Sequence, residues 1–193
     1  MPRVGLNRDK VVALAAEVAD DVGIERLTLA AVAERAGVAL PSLYKHVEGI
    51  DRLHRNLSVA ALRELLAELT RAAAGKAGRD ALHALAGTIR GYAQRHPGRY
   101  AASAKAPNAG DEEHEALSAE TVGLVVDVLG AYRIEGADAI DAVRAVRAAI
   151  HGFVSLEASG GYRMAQDLDV SYHRLIDALD VAFTTWAGEG AER

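Results

Sequence analysis

Cysteine is absent from the 193 residues. That excludes a disulfide framework and any thiolate or Cys-based zinc chemistry, and it fits a reducing compartment. Aromatic residues are scarce at 5%, and Tyr44 is the only one before Tyr92. No run approaches the roughly 18 apolar residues of a membrane span, and no basic-then-apolar signal pattern opens the chain. The expectation is a cytoplasmic protein with no membrane partner. Positive charge is also in short supply, since the formal net charge is −5. Up to Arg55 the basic and acidic side chains balance, so the whole acidic excess lies in the remainder.

Catalytic signatures are missing as well. His and carboxylate residues do fall close together at Asp51 and His54, Asp80 and His83, Asp169 and His173, and within Glu112–Glu115. None completes a di-iron Glu-x-x-His set, a zinc-protease motif, a phosphate-cradling loop or a nucleophile elbow. The expectation is a non-enzyme with no catalytic residue, no metal site and no cofactor.

What is present is apolar periodicity. Half of the residues are hydrophobic, and they recur at helical spacing throughout with no convincing strand. The most informative stretch runs from Leu27 to Val47. Thr28 suits a helix N-cap, with Leu27 and Val32 as a hydrophobic staple. Val32, Ala33 and Ala36 form a buried stripe, and Gly37 ends the helix in the left-handed region. Pro41 marks a second helix start near Leu40. Leu43 and Val47 supply its inward face, leaving Ser42, Tyr44 and Lys45 pointing elsewhere. A short helix, a glycine turn and a second helix with a polar outer face make a helix-turn-helix, whose second helix can enter a DNA major groove. A preceding helix capped by Asn7, with Leu6 against Val11 and a stop at Gly23, backs the motif. Residues Arg3 to Leu6 form an arm or a disordered terminus.

At Leu27-Thr28, Val32-Ala33, Ala36-Gly37-Val38 and above all Leu43-Tyr44-Lys45-His46-Val47, the sequence resembles the DNA-binding domain of the TetR family of transcriptional regulators. The resemblance covers roughly the first quarter of the chain. It departs at Ala39, where the family usually has a polar residue, and at Ile50, where it usually has a basic one. The DNA-facing residues expected are Thr28, Leu40, Pro41, Ser42, Tyr44, Lys45 and His46. Thr28 both caps its helix and presents the helix N-terminus to a phosphate. Ser42 meets either base edge, Leu40 and Pro41 offer apolar contact, and the Tyr44 phenol bonds a phosphate while its ring packs on sugar or a thymine methyl.

Beyond Glu48-Gly49 the pattern gives a long helix over about 50–74, then helices over 80–95, 97–103, 111–132 and 137–158, and a last one from about Ser171. The tail from Gly188 reads as frayed. The fold expected is all-α, about nine helices in total. An N-terminal three-helix helix-turn-helix domain spans 1–49, and a C-terminal ligand-binding and dimerisation bundle spans 50–193. Between Tyr92 and Tyr162 aromatic and polar side chains suffice for a mostly apolar pocket: Tyr92, His96, Tyr100, Tyr132, His151, Phe153, Glu157 and Tyr162, with His151 foremost because it stands amid Ile150, Phe153 and Val154. Ordinary core is the competing reading for each. The family resemblance implies a four-helix dimer interface, for which Val146, Ile150, Leu175, Leu179, Phe183 and Trp186 are the candidates.

Two functions follow. The first is a homodimeric, ligand-responsive DNA-binding regulator, a repressor released from a palindromic operator on double-stranded DNA by a small-molecule effector. The second is a helical small-molecule binding protein whose helix-turn-helix no longer binds DNA, motivated by Ala39, Ile50 and the even N-terminal charge.

Overall fold

A computed structural model describes residues 5–189. The described residues form nine α-helices and no strand: α1 Arg8–Val22, α2 Leu29–Ala36, α3 Leu40–Leu43, α4 Ile50–Ala73, α5 Gly78–Arg95, α6 Pro97–Ser103, α7 Glu112–Leu129, α8 Gly136–Ala158 and α9 Leu168–Glu189. Single 3₁₀ turns occupy Ile24–Arg26 and Gly130–Tyr132. The all-α expectation holds. Of the expected N-terminal arm, Arg3 and Val4 lie outside the described residues, as does the tail from Gly190.

Local chemistry sets most helix limits. The Asn7 side chain accepts from the Lys10 amide at 2.9 Å to start α1, and Thr28 Oγ1 accepts from the Ala31 amide at 3.1 Å to start α2. Each removes one of the orphan donors of a helix start. Leu6 and Leu27, one residue before each cap, pack into the same core as Val11 and Val32. At the end of α2, Gly37 takes φ 65°. Its amide donates to Glu34 O and the Val38 amide to Ala33 O, both at 3.0 Å, which is the paired-bond helix stop that needs a left-handed residue.

The chain divides into two compact units. One comprises residues 1–65 and 92–118, the other 66–91 and 119–193. Helices α4, α5 and α7 contribute residues to both. In the first unit, Val11, Ala15, Val32, Leu43, Leu53, Leu57 and Ala102 are fully buried in a single core. In the second, Leu82, Leu85, Leu129, Ile150, Ile176 and Phe183 are buried.

Within the first unit an ion-pair node fixes the start of α7 to α4. Arg55 Nε donates to Asp111 Oδ2 at 2.6 Å, and its Nη2 donates to Asp111 Oδ1. Glu113 receives Arg55 and Arg63, each at 2.8 Å. The Arg55 hydrogen bonds hold the Asp111 carboxyl down at about 2, against an ordinary 3.8. A carboxyl depressed in the folded state stabilises it above the unfolded value and loses that contribution as pH falls through the folded one. The gap in thermal midpoint between the wild type and Asp111→Asn is therefore expected to be full near pH 5 and to close between about pH 4 and 2. Thermal melts of both proteins across that range check it.

Candidate DNA interface and effector site

The helix-turn-helix presents a narrow outward surface. Leu43 and Val47 are buried, as their spacing requires. Tyr44 is 56% exposed and Leu40 36%. Thr28, Pro41 and Lys45 are exposed, and Ser42 and His46 half-buried. Lys45 makes no ion pair among the described residues. The second helix is shorter than expected. After one α-helical turn over Leu40–Leu43 the chain continues through turns at Tyr44–His46. Here the His46 and Val47 amides both donate to Leu43 O, at 2.8 and 3.0 Å. Ala39 gives this helix no side-chain cap. The start is stitched instead by the Ser42 amide donating to Ala39 O at 2.8 Å, and Pro41 brings no amide that needs a partner.

Two further cations bear on this surface. Arg35, in the last turn of α2, is committed to Asp21 and to Glu17 at 3.4 Å, so it contributes little free charge. Arg52, in the first turn of α4, is exposed and has no carboxylate partner among the described residues. Ile50 supplies no cation at its own position, and Arg52 stands two residues on.

The eight effector-site candidates fall into two sets. Tyr92, His96 and Tyr100 belong to the first unit. Tyr92 is fully buried, and its hydroxyl donates to Ala61 O at 3.3 Å and Glu64 Oε2 at 3.2 Å. Burial first, then the Glu64 charge, pushes that phenol well above its ordinary pKa. His96 lies 3.3 Å from Asp20 and edge-on to Tyr92, and Tyr100 is half-buried.

The other five candidates lie in the second unit. Phe153, Tyr162 and Glu157 come together around a residue not anticipated, Arg90 of α5. Glu157 accepts from Arg90 Nε at 2.9 Å and Nη2 at 2.7 Å. Asp169 is 2.8 Å from Nη1. The guanidinium carbon lies 5.6 Å from the Phe153 ring centre and 5.0 Å from that of Tyr172. Phe153 in turn sits 4.8 Å from the Tyr162 ring and 4.9 Å from the Tyr172 ring. These bonds, Glu157 foremost, raise the Arg90 pKa further and keep it charged. Tyr132 stands apart, its hydroxyl donating to Asp180 at 2.6 Å and its ring edge-on to Phe183. His151 is exposed, with Ser155 Oγ 3.4 Å from its Nε2.

Of the dimer candidates, Val146, Ile150 and Phe183 are buried within their own chain, and Leu175, Leu179 and Trp186 are half-buried. The exposed apolar residues on these helices are different ones: Ile140 and Leu156 on α8, and Val170 and Val181 on α9. Ile140, at helical spacing from the buried Val146, faces out at 43% exposure.

Residues 11–52 match the family model described as bacterial regulatory proteins, tetR family, and residues 82–179 match the tetracyclin repressor-like C-terminal domain. The chain belongs to the TetR family. It is 36% identical to the HTH-type transcriptional regulator Rv0681 of Mycobacterium tuberculosis, over 80% of this chain and 72% of that one. It is 32% identical to the HTH-type transcriptional regulator YobS of Bacillus subtilis, over 86% and 87%. The fold is shared with a TetR variant from Acinetobacter baumannii AYE solved in complex with minocycline, with a TM-score of 0.69 at 24% identity, covering 95% of this chain and 99% of that one. This TetR-family chain is thus a transcriptional regulator with a DNA-binding helix-turn-helix, and none of its described helices is long and apolar enough to cross a membrane.

Proposed function

We propose that this TetR-family protein is a homodimeric repressor that leaves a palindromic operator when a small molecule binds its C-terminal unit. The observation that carries the DNA reading is the surface of Leu40, Pro41, Tyr44 and Lys45. Two apolar side chains and a phenol stand in water beside a lysine with no ion pair among the described residues, while the other side of the same turn is fully buried. Thr28, Ser42, His46 and Arg52 complete the contact set. Two such surfaces about 34–36 Å apart would meet successive major grooves.

The dimer would form through the outward faces of α8 and α9. Ile140, Ala148 and Ser155 on the first, and Val170, Ala178 and Val181 on the second, are exposed in the single chain. They carry small and apolar side chains that allow close helix packing. The effector would bind near Phe153, Tyr162 and Tyr172, where three aromatic rings and the Arg90–Glu157 pair supply an apolar wall with polar anchors. Helix α4 would carry the response, provided the effector binds the two states with different affinity. Residues 1–49 would read the DNA and the remainder would respond and dimerise, in the cytoplasm.

Recovery and sequencing of genomic fragments retained by the purified protein tests the proposal, and the genes beside them point to the effector. Binding to random duplex is expected to fall about a thousandfold between 50 and 200 mM salt, as for six or so phosphate contacts per dimer. Fluorescence anisotropy measures it. Absence of binding even at low salt would sink the repressor reading and leave a helical small-molecule binder.

A further inference from the structure

A cleft of about 520 Å³ lies wholly within the first unit, between α1 and α4. It exists because the facing positions carry small side chains: Ala13 and Ala16 on α1, Ala60 and Ala61 on α4. Leucines there would close it. The volume falls in the range of small-molecule sites.

Two polar groups in this cleft are incompletely matched. Asn56 is only 6% exposed. Its Oδ1 accepts from Arg8 Nη2 at 2.7 Å and lies 3.5 Å from Arg55 Nη1. Those donors fix the amide orientation, because a flipped amide would set N–H against N–H. The Nδ2 donor then has no protein acceptor among the described residues and keeps access to the cleft, where it can donate to a bound molecule. Arg8 is the second group. Arg55 and Arg63 share Glu113, and Arg99 has Asp20 and Glu64. Arg8 has only the neutral Asn56 and no carboxylate partner among the described residues. Asp111 adds a second carboxylate to Arg55, so the other arginines of the lining are already matched.

We propose that this cleft is a binding site for a small amphipathic monocarboxylate. Its carboxylate accepts from Arg8 and from Asn56 Nδ2, and its hydrocarbon part lies against Val12, Ala13 and Ala16. A carboxylate suits the site because it only accepts hydrogen bonds and a guanidinium offers paired donors in its plane. One negative charge matches Arg8, whereas a second would meet Asp9, Glu64 and Glu113. The apolar wall gives a phosphate ion nothing to bury. A bound molecule bridges α1, which backs the helix-turn-helix, to α4, and by mass action stabilises the DNA-binding unit. The site is separate from the effector site proposed among Phe153, Tyr162 and Tyr172, and does not depend on it.

Amide NMR spectra of the full-length, isotope-labelled protein test the proposal, with sodium hexanoate as probe and hexan-1-ol and inorganic phosphate as controls. Hexanoate is expected to move resonances of residues 8–16 and 55–63, saturating at about millimolar concentration, with both controls at least about tenfold weaker. Arg8→Gln should weaken hexanoate by about tenfold or more while the rest of the spectrum is preserved. Ala13→Phe, at an exposed helix position, should block it by filling the cleft while leaving Arg8 in place. Equal binding of hexan-1-ol, unchanged binding by Arg8→Gln, shifts confined to α8 and α9, or no hexanoate shifts at all would each overturn the proposal.

Discussion

Replacing Tyr44 and Lys45 together with alanine is expected to weaken operator binding by about a hundredfold or more and to leave the thermal midpoint within about 2 °C of the wild type. Tyr44 is 56% exposed and Lys45 is exposed without an ion-pair partner among the described residues. Neither side chain therefore supports the core, which Leu43 and Val47 fill from the same turn. A lost base or phosphate contact is worth about 1–3 kcal/mol for a good bidentate pair and less for a single bond. A two-fold symmetric dimer loses each contact twice, so even modest contacts sum to about 3 kcal/mol. Separating the two substitutions assigns their roles. Lys45→Ala should flatten the salt dependence of binding by about two phosphate contacts per dimer. Tyr44→Phe should retain most of the binding if the ring does the packing and lose it if the hydroxyl is the contact. Anisotropy titrations at two salt concentrations, beside thermal melts, separate these outcomes. Unchanged operator binding by the double variant would mean that the reading surface lies elsewhere on the chain.

The features legible in the sequence are those set by a few consecutive residues. Asn7 and Thr28 cap their helices, Leu6 and Leu27 pack beside Val11 and Val32, and Gly37 takes the left-handed turn. Each rests on a local rule that tertiary packing leaves alone. Leu43 and Val47, four apart, predict a second helix that continues to Val47, yet a turn with the His46 and Val47 amides on Leu43 O keeps that spacing inward as well. His151 shows another limit. Its sequence neighbours Ile150, Phe153 and Val154 are buried, but a helix turns about 100° per residue, so the side chain between them faces out. The aromatic candidates share only their residue type and one long window of sequence. The packing divides that window within α5, between Gly91 and Tyr92, so they fall into different units. Arg90 carries no local signal, because its partners, Glu157 and Asp169, lie 67 and 79 residues further on and no spacing rule links them.

Gly98 carries the largest stability effect expected from a single methyl group. A glycine inside a helix ordinarily costs about 1 kcal/mol against alanine, so Gly→Ala should stabilise α6. At Gly98 the sign reverses. A Cβ there would stand 2.1 Å from the carbonyl carbon and oxygen of Ala19 and 2.5 Å from the Asp20 amide nitrogen. These are backbone atoms of the last turn of α1, which cannot swing aside as a side chain would. The two helices would have to separate. Separation would also stretch the bonds that Asp20 makes to α6: its carboxylate accepts from the Arg99 amide at 2.9 Å and lies 3.1 Å from Arg99 Nε. Ala102, fully buried one turn on, would lose its packing with them. Gly98→Ala is expected to cost about 3 kcal/mol, lowering the thermal midpoint by about 6–12 °C, with Gly98→Leu worse. Gly87, helical in α5 with nothing within 4 Å of an added Cβ, is the control. Gly87→Ala should raise the midpoint slightly, by the usual helix-propensity gain of up to about 1 kcal/mol. Melts of the two variants give opposite signs if the close crossing of α1 and α6 dictates glycine at 98, and the same sign if it does not. Because α1 backs the helix-turn-helix, Gly98→Ala should also weaken operator binding at temperatures where the fold is still intact, although residue 98 lies outside the motif itself.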